Sequence, residues 1–267
     1  MILSLADGNI TYVDRGDSTA TPVIFLHGFP FNHTMWKLQI EVVSRHYRAI
    51  AYDIRGHGDS TVGDGQFTIE QHVDDLIALL DHLKLHKVII VGLSMGGYIT
   101  LRALERNPER FMGAVLCDTR SEADSNEGKV GRAAAMREVK KNGSIQFADG
   151  FVKKIFAEQS FDRNKEAVEN IRSIIAHTPP LSIAGTLLAL AARTDTTQSL
   201  SAIKVPVLIL VGKQDALTPP SAAQALQERI PGSELHIVPE AGHMSNLENP
   251  EFFNEKLLYF IKRLVTP

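Results

Sequence analysis

The sequence holds a single cysteine, Cys117, so no disulfide can form within the chain and nothing points to an oxidising compartment. Long apolar runs are missing too: none approaches the ~20 residues of a membrane-spanning helix. The start, Met1-Ile-Leu-Ser-Leu-Ala-Asp-Gly8, has no basic segment and reaches Asp7 too early for a secretory signal. Neither sign of charge dominates. The 28 basic and 31 acidic side chains leave a formal charge of −3, which gives no field to hold nucleic acid or an anionic membrane. There is no P-loop, no H-E-x-x-H pair and no G-x-G-x-x-G opening the first helix, so phosphate, zinc-protease and dinucleotide chemistry are not indicated. His243 and Asp215 have no third metal ligand at helical spacing. The expectation is a soluble cytoplasmic protein that needs no cofactor and acts on a small molecule, with no nucleic-acid or membrane partner.

What is present is enough for a large core. A chain of 267 residues, 44% apolar, can bury roughly three quarters of the surface that its unfolded form exposes. One enlarged domain, or a domain with a cover, is expected. Asn9–Arg15 alternates apolar and polar residues like a half-exposed strand. Pro22–Leu26, Tyr47–Tyr52 and Lys87–Val91 are continuous apolar runs that need cover on both faces. Between them, Thr68-Ile-Glu-Gln71 predicts a capping box. Val73, Leu76, Ile77, Leu80 and Leu83 then fall on one face of a helix. Met95–Arg106 reads as a helix that stops before Pro108. Strands alternating with helices predict a mostly parallel sheet wrapped on both sides.

After Phe111–Asp118 the alternation stops. Residues 119–201 carry no clear strand, are helix-prone, and break at Asn142-Gly143 and Pro179-Pro180. A structureless loop of that length is improbable, so a helical insertion over the sheet is expected. Strand character returns at Val205–Val211 and Glu234–Val238, with a helix after Pro219-Pro220 and a last helix from Pro250 to Leu264.

The strongest chemical signal is Gly92-Leu-Ser94-Met-Gly96-Gly97, directly after a buried strand and directly before a helix. In that context G-x-S-x-G is a nucleophile turn: the chain reverses so tightly that the serine is lifted clear of the sheet, at the positive end of a helix. A serine needs a base. Among ten histidines, His243 in Pro239-Glu-Ala-Gly-His243-Met lies in a loop that should open on the edge carrying Ser94. His27 is expected as a structural hydrogen bonder and His57 as part of the turn Arg55-Gly-His-Gly58. His33, His46, His72, His82, His86, His177 and His236 are expected to be surface or satisfied histidines. The base needs a carboxylate to fix its tautomer. Asp215, 28 residues before His243 in Gly212-Lys-Gln-Asp215, gives the order serine, aspartate, histidine, with Asp118 as the reserve; Asp53 and Asp59 read as braces of a turn. The oxyanion calls for two N–H donors, and those of Phe29 and Met95 are placed to serve. Pro30 has no N–H to offer. Met136, Phe147, Phe151, Phe156 and Phe161 read mainly as core of the insertion, with some lining a pocket above Ser94.

Over its whole length the chain resembles the α/β-hydrolase fold superfamily. The resemblance is carried by His27-Gly-Phe-Pro30, Asp53-Ile-Arg-Gly-His-Gly-Asp-Ser60, Gly92–Gly97, Gly212–Asp215 and Ala241-Gly-His243. It implies an eight-stranded, mostly parallel sheet with helices on both faces. It also implies a helical cap, residues 119–201, inserted after the sixth strand into a core of residues 1–118 and 202–267. It carries nucleophile, acid and base onto Ser94, Asp215 and His243, and the oxyanion donors onto Phe29 and Met95. Within the superfamily, Ala241–Pro250 is similar to small carboxylesterases and to 3-oxoadipate enol-lactone hydrolases. Ser94-Met-Gly-Gly97 also occurs in cofactor-free haloperoxidases and perhydrolases. Haloalkane dehalogenases carry aspartate where Ser94 stands. The resemblance thus implies hydrolysis of a small ester or lactone through an acyl-enzyme. On a carboxylated lactone the pocket would need a cation, for which Arg120, Arg132 and Arg137 are the candidates. A hydrolase-fold receptor that senses a ligand is the non-enzymatic alternative.

Overall fold

A computed structural model describes residues 1–265 of the protein. Eight strands build one sheet: β1 (Ile2–Leu5), β2 (Gly8–Arg15), β3 (Pro22–Leu26), β4 (Arg48–Tyr52), β5 (Val88–Leu93), β6 (Phe111–Cys117), β7 (Val207–Gly212) and β8 (Glu234–Val238). Their order is β1-β2-β4-β3-β5-β6-β7-β8. β2 runs antiparallel to β1 and β4, and every pair from β4 to β8 is parallel. β1 was not foreseen: it is a short edge strand with alternating exposure at the very start of the chain.

The parallel strands are buried on both faces because helices cover both. Ile24, Leu26, Ile50, Ile90, Leu116 and Ile209 pack on one side with α2 (Ile69–His82), α3 (Met95–Arg106) and α8 (Pro220–Arg229). Val23, Phe25, Ala49, Val91, Val115 and Leu208 pack on the other with α1 (Lys37–Val43) and α10 (Pro250–Val265). Each large side chain moved from water into this core contributes about 1.5–3 kcal/mol. Only one half of the capping box forms. The Thr68 hydroxyl accepts from the Gln71 N–H at 3.0 Å, but the Gln71 amide turns away to Asp7 at 3.4 Å. His72 corrects the expectation of a surface or satisfied ring: it is buried in α2 and neither nitrogen has a hydrogen-bond partner.

Between β6 and β7 the chain forms α4 (Asn126–Ile155), α5 (Ser160–Arg163), α6 (Lys165–His177) and α7 (Pro180–Ala191), and no strand. α4 breaks at Gly143, whose φ of 82° and ψ of 174° are not helical. Among the described residues no single helix is long and apolar enough to cross a membrane. The shared register of the parallel strands brings their carboxyl ends to one edge. Leu26, Leu93, Cys117, Gly212 and Val238 end there, so the segments holding Phe29, Ser94, Asp118, Asp215 and His243 all leave from it.

Candidate active site

Ser94 joins β5 to α3 with φ 54° and ψ −113°, a conformation costly for any residue with a Cβ. The turn is held by Ser94 N–H to Cys117 O at 2.9 Å and by the Thr119 hydroxyl donating to Ser94 O at 2.9 Å. The glycines are required by space. A Cβ at Gly92 would overlap the Gly96 carbonyl, and one at Gly96 would overlap the Leu26 carbonyl.

His243 is buried, and its Nδ1 lies 2.8 Å from Asp215 Oδ2. That contact leaves Nε2 as the ring nitrogen available to a hydroxyl in the cavity that Ser94 and His243 both line. The Asp215 carboxylate accepts three further bonds: from the N–H groups of Leu217 (2.9 Å) and Thr218 (3.0 Å), and from the Thr218 hydroxyl (2.6 Å). Burial pushes this carboxyl up, but the His243 charge and hydrogen bond, with those of Thr218, outweigh it and hold Asp215 below the ordinary carboxylate range. Asp118, the reserve acid, does not reach His243. It accepts from Gly212 N–H at 2.8 Å and from the Ser245 hydroxyl at 2.5 Å. Burial and the nearby Asp215 charge raise it well above the ordinary range.

Two supports of the histidine loop were not foreseen. The His243 N–H donates to Ile155 O, the last residue of α4, at 2.8 Å. Glu248, in α9 (Ser245–Glu248), accepts at one oxygen from Gly242 and Met244 N–H (2.9 and 3.1 Å). At the other it accepts from Ala157 N–H and the Ser160 hydroxyl (2.8 and 2.6 Å). Burial still lifts this carboxyl above its usual range. The φ of Gly242 is not in the left-handed region; what the glycine supplies is room, since a Cβ there would press on Ala157 N. Nothing in the sequence marks Glu248 as buried, because the residues it bridges lie up to 91 positions away.

Phe29 is buried at the end of the loop after β3, and its peptide bond to Pro30 is cis. Met95 opens α3 beside Ser94, and both line the same cavity as Ser94. His27 accepts the Ile54 N–H at Nε2 (2.9 Å), so Nδ1 carries the proton and donates to Gly28 O (2.8 Å). His57 donates from Nδ1 to Arg55 O at 3.2 Å. Asp53 braces its turn by accepting from the His33 backbone and ring and from Asp59 N–H, whereas the Asp59 carboxylate stays exposed.

The cavity holds about 360 Å³. Its apolar wall includes Phe147 and Phe151 of α4 with Leu187 and Leu190 of α7. Phe156 is core instead, and Phe161 is exposed. Of the three arginines, Arg120 and Arg132 line the cavity, while Arg137 is exposed and does not. Arg132 is paired with Asp124; among the described residues Arg120 makes no direct ion pair, but it bonds Tyr98 and feels the charges of Asp124 and Glu122, and its buried Nε is unpaired. Among the described residues no group of three or more His, Cys, Asp or Glu could hold a metal ion.

The sequence and the fold are similar to those of known proteins. Residues 21–250 match the family described as alpha/beta hydrolase fold. The chain is 32% identical to 3-oxoadipate enol-lactonase 2 of Acinetobacter baylyi, over 98% of this chain and 96% of that one. It superposes on a thermophilic esterase from Thermogutta terrifontis, solved with malate bound, with a TM-score of 0.93 and 36% identity, covering 97% of this chain and 95% of that one. The enol-lactonase of Burkholderia xenovorans gives 0.92 at 27% identity, with 98% of this chain and 100% of that chain covered. A family match across most of the sequence, the eight-stranded sheet and relatives that are esterases and enol-lactonases establish that this chain belongs to the alpha/beta hydrolase family.

Proposed function

We propose that the protein hydrolyses small carboxylic esters through an acyl-enzyme, with Ser94 as nucleophile, His243 as base and Asp215 as the acid that orients it. The observation that carries this reading is the buried 2.8 Å contact of His243 with Asp215, beside the strained Ser94 on one cavity. With Nδ1 committed to Asp215, Nε2 takes the Ser94 proton as the oxygen attacks the ester carbonyl. The N–H groups of Phe29 and Met95 receive the oxyanion, each worth roughly 3 kcal/mol in comparable sites. Collapse expels the alcohol, which takes its proton from His243. The imidazole then activates water to free the acid.

Residues 119–201, with α4–α7, act as a cap on the core of residues 1–118 and 202–267. Its apolar wall sheds water from the reacting carbonyl. Replacing Ser94 by Ala should abolish both burst release of p-nitrophenol from short acyl esters and labelling by a fluorophosphonate. A burst that survives in the variant would defeat the assignment.

A second reading, hydrolysis of a carboxylated enol-lactone by the same three residues, is favoured by Arg120, a cation at the cavity whose buried Nε is unpaired. The two relatives named as enol-lactonases agree with it. Saturation by an anionic lactone with poor turnover of neutral esters would select it.

A further inference from the structure

The active-site cavity has a neighbour. A second cavity of about 250 Å³ runs along α4 past the Gly143 break, and Ala135, Phe147, Phe151 and Lys154 line both. The two phenyl rings stack at 5.3 Å with an 18° interplanar angle. Phe29 meets each of them edge-on, at 6.1 and 5.9 Å. The stacked pair therefore stands over the residue proposed to hold the oxyanion, with ester chemistry on one side and the outer cavity on the other. Both rings are only half-buried. The outer cavity has an apolar floor in Ala135 and Val139 and a polar rim in Glu138, Asn142 and Gln146. Small-molecule sites occupy roughly 300–1,000 Å³. The inner cavity alone lies near the bottom of that range, and the two joined would lie well within it.

We propose that Phe147 and Phe151 are the partition that sets the length of substrate the enzyme accepts, and that the outer cavity is a second subsite for the apolar chain of an ester. The inference rests on the ester-hydrolase reading. The chain can belong to the acyl or the alcohol arm, since both leave the same carbonyl. Gly150 supplies an internal control. It lines the outer cavity and not the inner one, and a Cβ there would meet nothing within 4 Å, so the outer cavity has room for a larger side chain at 150.

The experiment compares kcat/KM for p-nitrophenyl acetate to dodecanoate, and for ethyl to octyl acetate, in the wild type, Phe147→Leu, Phe147→Ala and Phe147→Ala/Gly150→Leu. Burying one further methylene is worth roughly fourfold, so two suffice for a gain of about tenfold. In Phe147→Ala the octanoate-to-acetate ratio, or the octyl-to-ethyl ratio, should rise at least tenfold. Phe147→Leu should move it the same way by less, and Gly150→Leu should return it toward the wild-type value. A gain in the first series assigns the subsite to the acyl arm, and one in the second to the alcohol arm. Ratios unchanged in both series for both Phe147 variants would overturn the inference. A wild type that neither turns over any ester nor labels at Ser94 would instead remove the reading on which it rests.

Discussion

His72 should make the fold acid-sensitive by an amount that one substitution can isolate. Its ring is 1% exposed, packs at 5.9 Å from the Phe67 ring, and has neither nitrogen bonded. Burial, with smaller contributions from the neighbouring His57, His27 and Arg55, lowers its pKa to about 3. In the unfolded chain the same ring titrates near 6.5. The folded value is the depressed one, so the unfolded state binds the proton first. The stability at stake is whole above pH 6.5 and drains as pH falls from 6.5 toward 3. The slope approaches about 1.4 kcal/mol per pH unit once the unfolded ring is protonated, so lowering the pH from 6.5 to 4.5 removes about 2 kcal/mol through His72 alone. His27 and His57, lowered to about 3 and about 4 mainly by burial, act in the same direction. Asp118 and Glu248, raised by burial, oppose them by taking protons earlier in the folded state. His72→Leu removes one contribution and leaves the others in place. It has nearly the same volume and forfeits no hydrogen bond. Urea unfolding followed by circular dichroism at pH 7.5, 6.5, 5.5 and 4.5 reads the effect. The variant should gain about 2 kcal/mol on the wild type between pH 6.5 and 4.5, or about 0.7 M in midpoint for a slope near 3 kcal/mol/M. Midpoints that run parallel across that range would refute the argument.

Two further outcomes are expected. Asp215→Asn should lower kcat by ~10⁴-fold, as loss of the orienting carboxylate does elsewhere. Asp118→Asn should change it by less than about tenfold, since an amide still accepts from Gly212 N–H and donates to Ser245; steady-state kinetics on a short ester that ranked them the other way would move the acid to Asp118. Glu248→Ala leaves three buried N–H groups unpaired at a cost of about 1–3 kcal/mol each. Thermal unfolding and kcat should both fall, with Glu248→Gln intermediate because its NH₂ must face donors; an alanine variant as active as the wild type would show that the carboxylate does not position His243.

The tight turn at Ser94 was readable in the sequence because its requirement is local. Only glycine fits at 92 and 96, and a strand and a helix must flank them. The central parallel strands were readable for a similar reason, since double-sided burial writes continuous apolar runs, whereas β1 and α1 went unread and the helices of residues 119–201 were given no limits. Asp215 and His243 could be ranked from chain order and strand ends, but their 2.8 Å approach depends on the register of β7 and β8, which no short segment encodes. Glu248 and the Ile155 carbonyl escaped notice because one acts through partners distant in the chain and the other through its backbone; Thr218 stands only three residues from Asp215, but nothing in the sequence turns its hydroxyl onto that carboxylate. Gln71 obeyed capping grammar, yet Asp7 from another part of the fold took its amide.

The tie between the Ile155 carbonyl and the His243 amide places a limit on how this enzyme can be re-tailored. Grafts from relatives that end at the Gly143 joint exchange the front of the pocket and leave the imidazole's anchor alone. A graft reaching residues 155–160 re-sites the backbone groups at 155 and 157 that hold the His243 amide and Glu248, replaces the Ser160 hydroxyl, and so disturbs the imidazole along with the wall. Selectivity and turnover are thus separable for changes that stop short of residue 155 and inherited together for those that reach it.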